Sequence, residues 1–105
     1  MEEHNRAAAK KAAKFIRKKF PGAEALPHDN QVMALMREQH AGKLAEELAG
    51  HLRAWEDGIA KDRPGNLMLK QSQDAAGEGK RVRMTIQEIG TESGFRRFLI
   101  FFHSR

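Results

Sequence analysis

The chain has 105 residues, 40% of them hydrophobic, which limits it to one domain near the lower end of what buries its own core. It has no cysteine, so disulfides, cysteine-ligated zinc, iron–sulfur clusters and thiol catalysis are excluded. The net charge of +5 divides into +5 over residues 1–20 (seven Lys and Arg against two Glu), −3 over 21–66 (five against eight) and +3 over 67–105 (seven against four). A chain basic at both ends and acidic in the middle is compatible with one charged face for a partner and another for solvent.

No apolar run approaches the roughly 20 residues that cross a bilayer, and no signal-peptide core follows Met1. The N-terminal stretch is basic and amphipathic, as a mitochondrial presequence is. Glu2, Glu3, the lack of Ser and the use of Lys over Arg argue against that reading. The expectation is a cytoplasmic protein with no membrane partner.

Residues 1–20 read as a helix, because Ala, Lys and Arg dominate them. At about 100° per residue, Lys10, Lys11, Lys14, Arg17 and Lys18 share one face, while Ala8, Ala9, Ala12, Ala13, Ile16 and Phe20 line the other. An alanine face approaches a neighbour closely but buries little area. Pro21-Gly22 ends the helix, and 21–28 reads as a connector.

Residues 29–62 read as a long helix with Asp29 as its N-cap and Asn30 as the competing one. Ala41, Ala45, Leu48, Leu52, Trp55 and Ile59 recur at steps of four and three, which puts them on one side. Val32, Leu35 and Met36 fall on the opposite side of the same wheel, with Gly42 near the crossover. Either the helix kinks or breaks near residues 40–42, or its first turns face the Phe15–Ile16–Phe20 patch or a second subunit. Arg63-Pro64-Gly65-Asn66 ends it.

From Leu67 the pattern alternates as in strands. A first strand starts at Leu67 and fades into 71–73, and 74–79 connects it to a second over 81–89. There Val82, Met84 and Ile86 point one way and Arg81 and Arg83 the other. Residues 90–94 make a turn with glycine at both ends. The last strand, 95–103, is apolar on both faces: Phe98, Ile100 and Phe102 on one, Leu99 and Phe101 on the other. An edge strand does not need two apolar faces, so Leu99 and Phe101 are candidates for self-association, and a homodimer is expected.

The expected fold is α+β: an N-terminal basic helix, a long helix kinked near 40–42, then a three-stranded antiparallel meander packed on the long helix. In order of elements alone this resembles histone-like DNA-bending proteins, although the glycine-phenylalanine turns and Pro-tipped arms of those proteins are missing.

Two basic surfaces carry the functional reading. Lys10, Lys11, Lys14, Arg17 and Lys18 offer cations along one helix side, suited to phosphates. Arg81 and Arg83, with Lys80, Arg96 and Arg97 nearby, offer a second patch on the sheet. The plain alternative is that a lysine-rich helix face is merely solvated. No helix-turn-helix, zinc finger, RNP aromatic pattern or KH glycine loop is present. A membrane-surface role for the first helix is weak, because alanine inserts poorly.

His40, Glu47 and His51 lie at spacings that share a helix edge, and Glu47 with His51 matches half a metal site. Solvated helix-edge histidines account for them more simply. No Gly-x-Ser-x-Gly, P-loop or GxGxxG occurs. The reading is therefore a small non-enzymatic nucleic-acid-binding protein that contacts the phosphate backbone, with no cofactor and no metal. Two alternatives stand beside it: an adaptor or inhibitor of the kind mobile genetic elements encode, docking its basic face on an acidic protein, and more weakly a metal-dependent enzyme.

Overall fold

The computed structural model describes residues 2–59, 68–69 and 83–103. In chain order they form α1 (Glu2–Lys19), β1 (Glu24–His28), β2 (Gln31–Arg37), α2 (Glu38–Ala41), α3 (Leu44–Ile59), β3 (Met68–Leu69), β4 (Arg83–Glu92) and β5 (Phe95–His103). The fold is α+β, with the strands in one sheet of order β1-β2-β5-β4-β3.

The first helix forms as its composition requires. Ala8, Ala9, Ala12, Ala13 and Ile16 are fully buried, and Phe20 nearly so. After it, Gly22 adopts φ +82, and a Cβ there would come within 2.9 Å of Arg37 Nε. Only glycine accepts that backbone without strain, so the stop lies where Pro21-Gly22 places it.

The connector and the start of the long helix are corrected. Residues 24–37 form a hairpin, with Glu24 opposite Leu35 and His28 opposite Gln31. Asp29 is no helix cap. It sits in the tight turn with φ 57, a left-handed conformation that Asp tolerates better than most residues. Val32, Ala34 and Met36 are fully buried, while Met33 is exposed and Leu35 half-buried. That alternation is the period of a strand. Val32, Leu35 and Met36 looked like a helix face pointing the wrong way because the segment has no helical face at all. Pro27 fits because β1 is an edge strand and its missing N–H faces no neighbour.

The helical part begins at Glu38 and is interrupted at residues 42–43, overlapping the expected 40–42 break only at Gly42, before α3 takes over. Leu44, Leu48, Ala49 and Leu52 of α3 are buried. The packing differs from the expected one. It is α1 that lies across β1, β2 and β5, and α3 packs beside α1 and near β3. An alanine face lets α1 sit close enough to the sheet to be its main cover, and the leucines of α3 fill the flank.

The three-stranded meander is also corrected. Four strands are antiparallel neighbours, and the two-residue β3 pairs parallel to β4, through Met68 with Arg83 and Leu69 with Met84. Parallel neighbours need a long crossover, and the thirteen residues between Leu69 and Arg83 suffice. Val82 and the rest of residues 70–82 lie outside the described residues, as do 60–67. β4 continues past Gly90 to Glu92 through a bulge between Glu88 and Gly90, which leaves Ile89 exposed. Its turn to β5 narrows to Ser93-Gly94.

β5 is as expected in extent, but it is no edge. It pairs with β2 on one side and β4 on the other. Asn30 extends the β2 contact: its side-chain Nδ2 donates to Phe102 O at 2.9 Å, and Phe102 N donates to Asn30 O at 2.8 Å. The missing neighbour was the strand hidden in the supposed helix. Phe98, Ile100 and Phe102 face the helices and are buried with Met84. Leu99 and Phe101 face the other way, half-buried among Gln31, Met33, Thr85 and Gln87. The inserted strands also remove the likeness in element order to histone-like proteins.

Candidate nucleic-acid interface

On α1 the lysines take the face that the sheet leaves free. Lys10, Lys11, Lys14, Arg17 and Lys18 are all exposed. Two edges of the helix flank them. Toward β1, Arg17 Nη1 donates to Ala25 O at 2.6 Å, and Arg6 pairs with Asp29 at 3.2 Å. Toward α3, Lys19 pairs with Glu47 at 3.7 Å. Arg17 thus also fastens β1 to the helix. Among the described residues, no carboxylate forms an ion pair with Lys10, Lys11, Lys14 or Lys18.

A groove of about 590 Å³ runs between α1 and α3. Lys11, Lys14, Lys18 and Lys19 line it from α1, with Phe15 below and His51 from α3. Phe15 and His51 stack with ring centroids 4.2 Å apart and 13° between planes. At the next position along the same seam His4 stacks on Trp55 at 5.1 Å, and Lys11 Nζ sits 5.6 Å from the Trp55 ring centre. Burial lowers the pKa of His51 below its usual 6.5, and the Lys11 ammonium lowers it further. His51 is therefore held towards its neutral form, an aromatic wall rather than a fifth cation.

The sheet patch is not assembled in the same way. Arg83 alternates with the buried Met84, so it lies on the face away from α1 and the lysines. It stands opposite His103, whose ring Nε2 is 3.1 Å from Thr85 Oγ1. Burial and the nearby Arg83 charge lower the pKa of His103. Arg96 and Arg97 lie near the other end of β5, about 20 Å away by strand rise. Arg96 makes a two-point contact to Glu88 at 2.9 and 2.7 Å, and Arg97 reaches Glu92 at 3.5 Å. The hydrogen bonds from Arg96 hold the Glu88 carboxyl below its usual pKa. Arg81 and Lys80 lie outside the described residues. The structure thus joins the α1 lysines into one surface and leaves Arg83 on another.

The metal trio is dispersed. His51 stacks on Phe15, Glu47 pairs with Lys19, and His40 tilts against Phe20 at 5.8 Å. No three His, Asp or Glu side chains gather as a metal set among the described residues. No described helix is long and apolar enough to cross a membrane.

No protein-family model, curated protein or solved structure matches the chain. The functional reading rests on geometry alone. The wheel of residues 1–20 identifies the cations. It does not identify the groove, because nothing local says which edge of α1 meets α3. Phe15 sits at that edge and was the one available signal: a large ring at the border of an alanine face.

Proposed function

We propose that the protein binds nucleic acid by placing the Lys10, Lys11, Lys14 and Lys18 ridge of α1 along the phosphate backbone. The observation that carries this reading is a run of four exposed lysines on one helix face with no carboxylate partner among the described residues. Arg6, Lys19, Arg96 and Arg97, by contrast, each have one. Cations kept apart from the protein's own acids suit an external polyanion. The contact is to phosphate rather than to base edges, so it acts by neutralisation with little sequence preference. The test is an electrophoretic shift of labelled DNA and RNA at low salt, repeated with Lys10, Lys14 and Lys18 changed to Glu. Retention of full affinity by that variant refutes the assignment. Co-purification of an acidic protein by the same lysines, with no nucleic acid bound, favours the adaptor reading instead.

A second reading concerns the sheet. The helices cover one face, and on the other Leu26 is 68% and Met33 44% exposed, continuous with Leu99 and Phe101. We propose that a second copy of the chain covers this face. Molar mass in solution across a concentration series tests it, and a monomer throughout rejects it.

A further inference from the structure

We infer that the α1–α3 groove takes a single strand of nucleic acid, with its phosphates on Lys11, Lys14 and Lys18 and its bases against the ring-bearing wall of α3. This inference rests on the nucleic-acid reading above and narrows it from any polyanion surface to one class of substrate.

Three features carry it. The first is shape. On its α3 side the lysine ridge, through Lys11, Lys14 and Lys18, forms one wall of an open concavity of about 590 Å³. A duplex presents a broad convex surface and cannot enter between two packed helices. A single strand can.

The second is the division of chemistry between the walls. Every cation in the groove comes from α1, while α3 contributes the His51 ring, backed by Phe15. Trp55 does not line the groove itself but lies one turn along α3 from His51, with Lys11 Nζ 5.6 Å from its ring centre. Cations on one side and ring faces on the other match the two halves of a nucleotide, phosphate outside and base inside. Sequence-tolerant single-strand binders combine these same elements, a basic groove and aromatic platforms. An acidic peptide would use the lysines but would leave the rings without a function.

The third is length. Lys11, Lys14 and Lys18 span two helical turns, about 10 Å along the axis. The run is bounded at Lys19, which Glu47 already neutralises at 3.7 Å. The site therefore covers a few nucleotides, not a long tract.

The test uses the intact protein and a fluorescein-labelled 12-nucleotide oligo(dT), oligo(rU) and a 12-base-pair duplex at low salt, followed by anisotropy. Trp55 is the sole tryptophan and lies beside Lys11, one turn along α3 from His51, so its emission reports on the neighbourhood of the groove. Single strands should bind about tenfold more tightly than the duplex and quench Trp55, as expected for base–aromatic contacts. Trp55→Leu should lose most of that preference while keeping duplex affinity, and the exposed Lys14→Glu should weaken both. Circular dichroism melts confirm that each variant is folded. Equal or tighter duplex binding with unchanged Trp55 emission overturns the groove assignment while leaving the ridge reading standing. Binding of poly-glutamate but of no nucleic acid overturns both.

Discussion

Phe15 of α1 and His51 of α3 lie face to face, 4.2 Å between ring centres, and this stack is where the two helices are joined beside the lysines. It closes the floor of the groove and holds the cationic wall at a fixed distance from α3. Truncation of either ring removes packing area and the stacking contact together.

Phe15→Ala is therefore expected to destabilise the protein by about 2 kcal/mol, below the range for a fully buried Phe because this ring is half-buried. Phe15→Leu should recover part of the loss. Urea unfolding measures both, and a change within about 0.5 kcal/mol for Phe15→Ala would mean that the stack does not support the fold.

Two part-buried histidines make stability depend on pH. His51 and His103 both have pKa values lowered below 6.5, in each case by burial first and then by a neighbouring cation, Lys11 or Arg83. The unfolded chain then binds more protons than the folded one as pH falls past 6.5. Stability is complete above that value and declines as pH drops through the folded pKa values. His51→Phe keeps a ring on Phe15 without a titrating group, so its stability should fall less steeply between pH 7 and pH 5. Identical slopes for the variant and the parent protein would remove His51 from this account.

These contacts also mark the limit of what the sequence discloses. The lysine face, the alanine face and the extent of β5 were legible because each depends on local periodicity. Residues 31–37 were not, since Gln, Ala, Leu, Met and Arg all favour helix and Val32, Leu35 and Met36 also fit a helical spacing. Tertiary pairing with β5 decided against propensity there. The clue was the reversal of the apolar side near Gly42, which a strand explains without a kink. Two apolar faces on β5 were the second clue, because a central strand needs neighbours on both sides. The groove was hidden for a different reason: it exists only between α1 and α3, and no spacing within either helix encodes their approach.

The alanine face of α1 sets a prediction of its own. Ala12 is fully buried on the inner face of α1, so Ala12→Leu has no space to occupy. Overpacking there should cost about 2 kcal/mol, whereas Lys10→Leu on the exposed side should change stability little. Differential scanning calorimetry would separate the two. A neutral Ala12→Leu would show that α1 can shift to make room.

Arg17 and Lys14 separate structural cations from binding ones. Arg17 holds Ala25 O at 2.6 Å, while Lys14 lines the groove. Arg17→Ala should lower stability by about 1 kcal/mol, the net worth of a hydrogen bond. Lys14→Ala should leave the melt unchanged but reduce the steepness of salt-dependent DNA binding by about 0.7 in log–log slope, one phosphate contact to a single strand. Equal effects of the two changes on melting would contradict the division of roles.

The sheet face turned away from α1 gives the last test. Leu26 and Met33 are adjacent on β1 and β2, outward-facing and exposed, and Leu99 lies beside Met33 on β5. A second copy seated there would bury all three, and a charge at their centre would then be left in an apolar interface. Met33→Glu is therefore expected to dissociate a dimer by at least tenfold in dissociation constant, or about 1.4 kcal/mol, while leaving the monomer fold within about 0.5 kcal/mol of its original stability. Analytical ultracentrifugation gives the first quantity and urea unfolding of the monomer the second. A dimer that persists unchanged in Met33→Glu would place the subunit contact elsewhere on the chain.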